Sequence, residues 1–235
     1  MTPMLRQNLT LCVLVLIGIN MRPLLTSIGP LLPDIRAASG MSYTLVALLT
    51  ALPVIAMGVL ALGGGWVDRT VGQNRSIALS LLIIAAGALL RESAPHSGLL
   101  LSSALAGGIG IGIIQAAIPA VIKRLFARRT PMVMGLWSAA LMGGGGLGAA
   151  FTPWLASRST VWHQALAWWA LPALLALLGW LAICRQLPRA PHQTSASPRV
   201  AIIGQRRAWT LGLYFGLINA GYASLIAWLP PYYIQ

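Results

Sequence analysis

The sequence predicts an all-α protein that crosses a membrane several times, and three observations carry that expectation. Of 235 residues, 57% are hydrophobic and 8% are charged, where a soluble domain carries roughly 25% charge. The apolar residues fall in runs of about 20, the length that crosses a ~30 Å hydrocarbon core as a helix. Those runs do not alternate polar with apolar, as the strands of a membrane barrel do. Lipid leaves only these two architectures, because every backbone group must bond within the protein.

Seven spans follow in order: 9–32, 43–66, 76–90, 99–122, 132–154, 164–184 and 209–233. The first begins as an unbroken apolar run and then carries Arg22 and Pro23 halfway down. Pro53 interrupts the second and Pro119 lies near the end of the fourth. The fifth holds the run Gly143-Gly144-Gly145-Gly146 with Gly148 beyond. In water, such glycines would cost about 1 kcal/mol each against alanine; in a membrane, small residues let helices approach closely. The segment 185–207, rich in Pro, Ser and Arg, reads as a cytoplasmic linker between six helices (1–184) and a seventh (208–235). The seventh echoes the first: Gly18, Ile28, Leu31 and Pro33 match Gly216, Ile226, Leu229 and Pro231, with Thr26 falling on Ser224. That echo begins where a second, parallel six-helix repeat would begin, so the chain is expected to be the front part of a longer, two-half architecture.

The net charge of +13 is not read as nucleic-acid binding, because the basic residues sit between spans. Arg6, Arg69, Arg75, Lys123, Arg124, Arg128, Arg129, Arg185, Arg189, Arg199, Arg206 and Arg207 fall on one side; Arg36, Arg91 and Arg158 fall on the other. The positive-inside rule then puts the N-terminus in the cytoplasm. Trp66, Trp154, Trp162, Trp209 and Trp228 fit an interfacial belt, while Trp137 and Trp180 are expected to pack between helices. Cys12 and Cys184 lie within spans and read as small apolar side chains, with neither disulfide nor metal site expected.

Arg22 is the first functional suspect. An arginine at mid-membrane costs from about 3 to over 10 kcal/mol unless it faces water, a partner or a ligand, and its planar fork of donors suits an anion. A structural arginine bonded to helix carbonyls or to Gln115 is the alternative. Arg22, Thr26, Gly29 and Pro33 share one helical stripe, with Asn20, Ser27 and Pro30 beside it. Gln115 lies midway along the fourth span, which pairs with the first if the six helices are 3 + 3 inverted repeats. Asn219 and Tyr222 are the polar candidates of the seventh. No HExxH or GxSxG occurs, and Asp34, Asp68 and Glu92 lie at or beyond span ends. No intramembrane carboxylate pair therefore supports hydrolysis, no carboxylate at mid-depth can carry a coupling proton, and neither an enzyme nor a cofactor is expected.

The stretch from Gly64 through Asp68 and Arg69 to Gly72 and Arg75 resembles the loop signature of the major facilitator superfamily. Gly64, Asp68 and Arg69 keep its spacing; Gly72 sits one residue late, and Gln73 and Asn74 replace a basic pair. Segments 18–36, 109–124, 135–154 and 208–234 are similar to the cyanate and 2-nitroimidazole transporter branch of that superfamily. The resemblance implies a twelve-helix fold of two six-helix halves, of which this chain supplies one half plus one helix. It also implies a gating role for Gly64, Asp68 and Arg69, with Asp68 bonding helix N-termini or an arginine on the cytoplasmic side. The fourth span departs from the wider superfamily, carrying Gly107 and Gly108 where an arginine is common.

The expectation is a multi-pass bacterial inner-membrane transporter that moves a small polar or anionic solute, cyanate-like or nitroimidazole-like, by alternating access. Solute contacts are expected from Arg22, Asn20, Thr26, Gln115, Asn219 and Tyr222. The partners are the solute, the bilayer and the missing second half or another chain; nucleic acid is not among them. A non-transporting membrane interaction protein or an inactive truncation product is the competing reading.

Overall fold

The structure is a computed structural model that describes residues 3–93, 96–158, 161–187 and 205–233. Most of the linker expectation, 185–207, therefore falls outside the described residues. The chain divides into two compact units, Met1–Leu187 and Pro188–Gln235. Among the described residues, six stretches are long and apolar enough to cross a membrane: Leu5–Ser39, Tyr43–Ala61, Gln73–Leu90, Ser97–Leu125, Ala127–Arg158 and Trp162–Cys184. In the second unit, a helix of 28 residues runs Arg206–Tyr233, about 42 Å at 1.5 Å per residue.

The first span is not one helix. Helix α1 (Pro3–Asn20) stops, α2 (Pro23–Thr26) makes a single turn, a 3-10 turn covers Gly29–Leu31, and α3 (Leu32–Ser39) completes the crossing. Three prolines explain this. Pro23, Pro30 and Pro33 each lack the N–H that would bond four residues back, and the chain closes instead with shorter bonds such as Met21 N–H to Gly18 O at 3.2 Å. The single stripe expected of Arg22, Thr26, Gly29 and Pro33 therefore does not run along a continuous helix.

The remaining spans are α4 (Tyr43–Val71), α5 (Gln73–Leu90), α6 (Ser97–Leu125), α7 (Thr130–Arg158), and a sixth crossing split into α8 (Trp162–Ala167) and α9 (Ala170–Cys184). The first span packs on α7, α4 packs on α6, and α5 packs on α9. Exchanging the first three spans with the last three maps these pairings onto themselves, as two inverted three-helix repeats require.

Glycines set the close approaches. A Cβ on Gly107 of α6 would strike the Leu24 side chain; on Gly108 it would lie 2.5 Å from Pro53 Cα, and on Gly110 2.7 Å from Ser80 O. Helix α6 thus touches the first span, α4 and α5 through different sides of one small-residue segment. The glycine run of α7 is divided. Gly144 rests on the Ile19 backbone and Gly148 on Thr26 and Pro23, whereas Gly143 and Gly146 face open space.

Candidate functional site

The break in the first span is seated on α7. Ile19 O loses its helical donor because Pro23 has none, and this is the backbone that lies against Gly144. One turn on, Thr26 is buried and its hydroxyl contacts two carbonyls, Arg22 O at 3.2 Å and Gly145 O at 2.8 Å. Thr26, expected to face solute, therefore pins α2 to α7. Arg22 is the N-cap of α2 and half-buried, with its carbonyl receiving Leu25 N–H at 2.9 Å and Thr26 N–H at 3.0 Å. Asn20 closes α1, is 2% exposed, and its amide nitrogen has no hydrogen-bond partner among the described residues. The buried indole N–H of Trp137, the residue that packs on Gly18, is likewise unpartnered.

Gln115 is half-buried and joins neither Asn20 nor Arg22 in a hydrogen bond. It shares the side of α6 occupied by Gly108 and Gly112, which lie on Pro53, Met57 and Leu60 of α4. It also lies about 12 Å along α6 from Gly107, the residue level with Leu24. Depth and helix side both separate it from the break, because a residue midway along a span can point in any direction around the axis. Asn219 lies in the second unit, and the side chains of Tyr222, Gly64 and Arg69 fall outside the described residues.

The residue missed by sequence reading is Arg91. It was placed among the outer loop residues, and the other two of that group are exposed and lie on aromatic faces: Arg36 over Tyr43 at 3.6 Å and Arg158 over Trp154 at 4.9 Å. Arg91, one residue past α5, is instead 1% exposed. Its Nε donates to Ser103 Oγ at 3.3 Å and its Nη1 to Ser27 Oγ at 3.5 Å, while Nη2 has no partner among the described residues. Burial pushes its pKa down to about 10, still well above neutral, so the charge is retained. A buried cation without a counter-charge costs several kcal/mol. The available signal was the pair Ser27 and Ser103, small polar residues in otherwise apolar spans.

The motif expected to be a loop, from Gly64 to Arg75, is mostly helix. Helix α4 continues through Val71, and the turn is confined to Gly72, whose φ of +88° favours glycine. The Asp68 carboxylate accepts the Ser76 hydroxyl in the first turn of α5, where the helix N-terminus also favours negative charge. Gln73 Nε2 donates to Ala117 O at 3.4 Å and Asn74 Nδ2 to Cys184 O at 3.2 Å. Trp180, fully buried as expected, donates from Nε1 to Asn74 O at 2.9 Å. The two residues that depart from the basic signature thus tie the start of α5 to α6 and α9.

Comparison with known proteins places this geometry. The chain is 65% identical over 96% of its length to the cyanate transport protein CynX of Escherichia coli (strain K12), of which it covers 58%. It is 31% identical over 92% of its length to the 2-nitroimidazole transporter of the same strain, covering 55% of that protein. The chain thus spans little more than half the length of these relatives. Its fold matches a solved bacterial homologue of the human drug peptide transporters PepT1 and PepT2 with a TM-score of 0.67 at 14% identity, over 94% of this chain and 49% of that one. Residues 11–235 match the Major Facilitator Superfamily, and the chain belongs to that superfamily.

Proposed function

We propose that this chain forms the first six-helix half, with the opening helix of the second, of a secondary transporter for a small polar or anionic solute. Cyanate-like solutes come first, given the 65% identity to a cyanate transport protein, and nitroimidazole-like ones second. The observation that carries this reading is the donor-rich break in the first span. Arg22 sits at mid-membrane and Asn20 beside it presents a buried N–H with no acceptor. A buried donor without an acceptor recognises one, and a negatively charged acceptor bonds it most strongly.

The mechanism is alternating access, with residues 1–184 rocking as one body against a second six-helix body around Arg22. Residues 185–207 connect the two bodies, and 208–235 open the second. The glycines of α7 that face open space, Gly143 and Gly146, supply a smooth surface for such movement. The membrane is the bacterial inner membrane, with the N-terminus in the cytoplasm by the distribution of basic residues. Asp68, Arg69 and Gly64 then lie at the cytoplasmic gate. Counterflow of radiolabelled cyanate into proteoliposomes holding the full-length protein tests the reading. Wild type is expected to exchange label and Arg22→Ala to lose most of it; unchanged exchange removes Arg22 from the site.

A further inference from the structure

Three elements enclose the Arg91 guanidinium: the end of α5, Ser103 of α6 and Ser27 at the end of α2. Ser103 Oγ spends its own proton on Leu100 O at 2.7 Å, so it can only accept from Arg91. Ser27 Oγ accepts from Nη1 and donates to nothing among the described residues. A guanidinium carries five N–H donors, and those on Nη2 are unspent. No carboxylate reaches it: Asp34 and Glu92 are exposed, and Asp68 is engaged with Ser76 where α4 meets α5. The unspent groups at this spot are therefore all donors, and the partner that would complete it is a negatively charged acceptor.

We propose that Arg91 and the Ser27 hydroxyl, braced by Ser103, form a binding station for a small monovalent anion at the outer end of α2. Arg22 caps the other end of the same turn, about 7.5 Å away along the axis for five residues. Full burial of Arg91 keeps a phospholipid headgroup from reaching it. Ser27 closes a four-residue helix and precedes a three-residue 3-10 turn, so its hydroxyl can withdraw to admit the anion without breaking a long hydrogen-bond ladder.

Isothermal titration of the full-length protein in neutral detergent reads this station, with sodium cyanate and sodium thiocyanate as probes and acetamide as the uncharged control. Wild type is expected to bind the anions and not acetamide. Arg91→Gln is expected to weaken binding about tenfold and Ser27→Ala about threefold, because charged hydrogen bonds are roughly twice as strong as neutral ones. Arg91→Lys should fall between wild type and Arg91→Gln, and Glu92→Gln should bind as wild type does. Unchanged affinity in folded Arg91→Gln overturns the station. If that variant aggregates, Ser27→Ala decides, and wild-type affinity there overturns it. The choice of cyanate rests on the anionic-solute reading: binding of thiocyanate alone keeps the station and removes cyanate, whereas binding of neither anion overturns the station.

Discussion

Where α4 turns into α5, the polar side chains are paired; around the break in the first span and outward to Arg91, paired side chains such as Thr26 stand beside buried donors that are not. At the first place Asp68 holds Ser76, Gln73 and Asn74 reach the carbonyls of Ala117 and Cys184, and Trp180 donates to Asn74. At the second, the Asn20 amide, the Trp137 indole and Arg91 Nη2 are buried without acceptors. Both regions lie in the same bundle, and both use asparagine and tryptophan. The difference separates two uses of polarity in a membrane: paired donors fasten helices, and the unpaired ones are those proposed above to meet an anion. A buried donor without a partner costs about 1–3 kcal/mol.

Four substitutions break or sharpen that contrast. The largest effect is expected at the seat of the break. A Cβ on Gly148 would strike the Thr26 hydroxyl and lie 2.7 Å from Pro23 Cα, so Gly148→Ala should destabilise the protein by about 1–3 kcal/mol. A lowered thermal midpoint in detergent measures this; an unmoved midpoint would mean that α2 does not depend on α7. Next, Trp180→Phe removes the donor to Asn74 O from the fastened end, with an expected loss of about 0.6–1.7 kcal/mol and counterflow retained in the folded variant. Loss of counterflow with stability intact would move this end into the transport machinery.

Asn20→Leu tests the opposite end with the opposite sign. Replacing an unpartnered buried amide by an apolar side chain of similar size should stabilise by up to about 1 kcal/mol while reducing cyanate counterflow. A destabilised Asn20→Leu would show that the amide is spent within the protein and would dissolve the contrast. The smallest effect is expected at Gly146, where an added Cβ meets nothing. Gly146→Ala should stay within about 0.5 kcal/mol of wild type, measured in the same detergent melt.

These regions were unequally legible from sequence. Pro23 coincides with the break in the first span, where a missing N–H acts locally. Pro53, expected to interrupt the second span, does not break it: α4 runs through it, as α6 runs through Pro119. The two ends of Arg22's turn were not legible. Thr26 looked like a companion of Arg22 because both fall on one stripe, yet it is turned to Gly145. Arg91 looked like a loop cation because it follows an apolar run, and hydropathy reports the transfer of a segment, not the enclosure of one side chain. Gln73 and Asn74 looked like departures from a signature; their amides are fasteners that a basic pair could not replace in kind, because an amide reaches a carbonyl without bringing a charge.

By itself the sequence determined the class and the number of crossings in the first unit. Those follow from the free energy of moving apolar segments into lipid, which acts within a single segment. Tertiary structure alone decided that Gly144 and Gly148 carry the first span while Gly143 and Gly146 do not, that Gln115 faces α4, and that Arg91 is enclosed. The reason is rotational: composition sets whether a helix enters the membrane, but only packing against its neighbours sets which side of it meets protein.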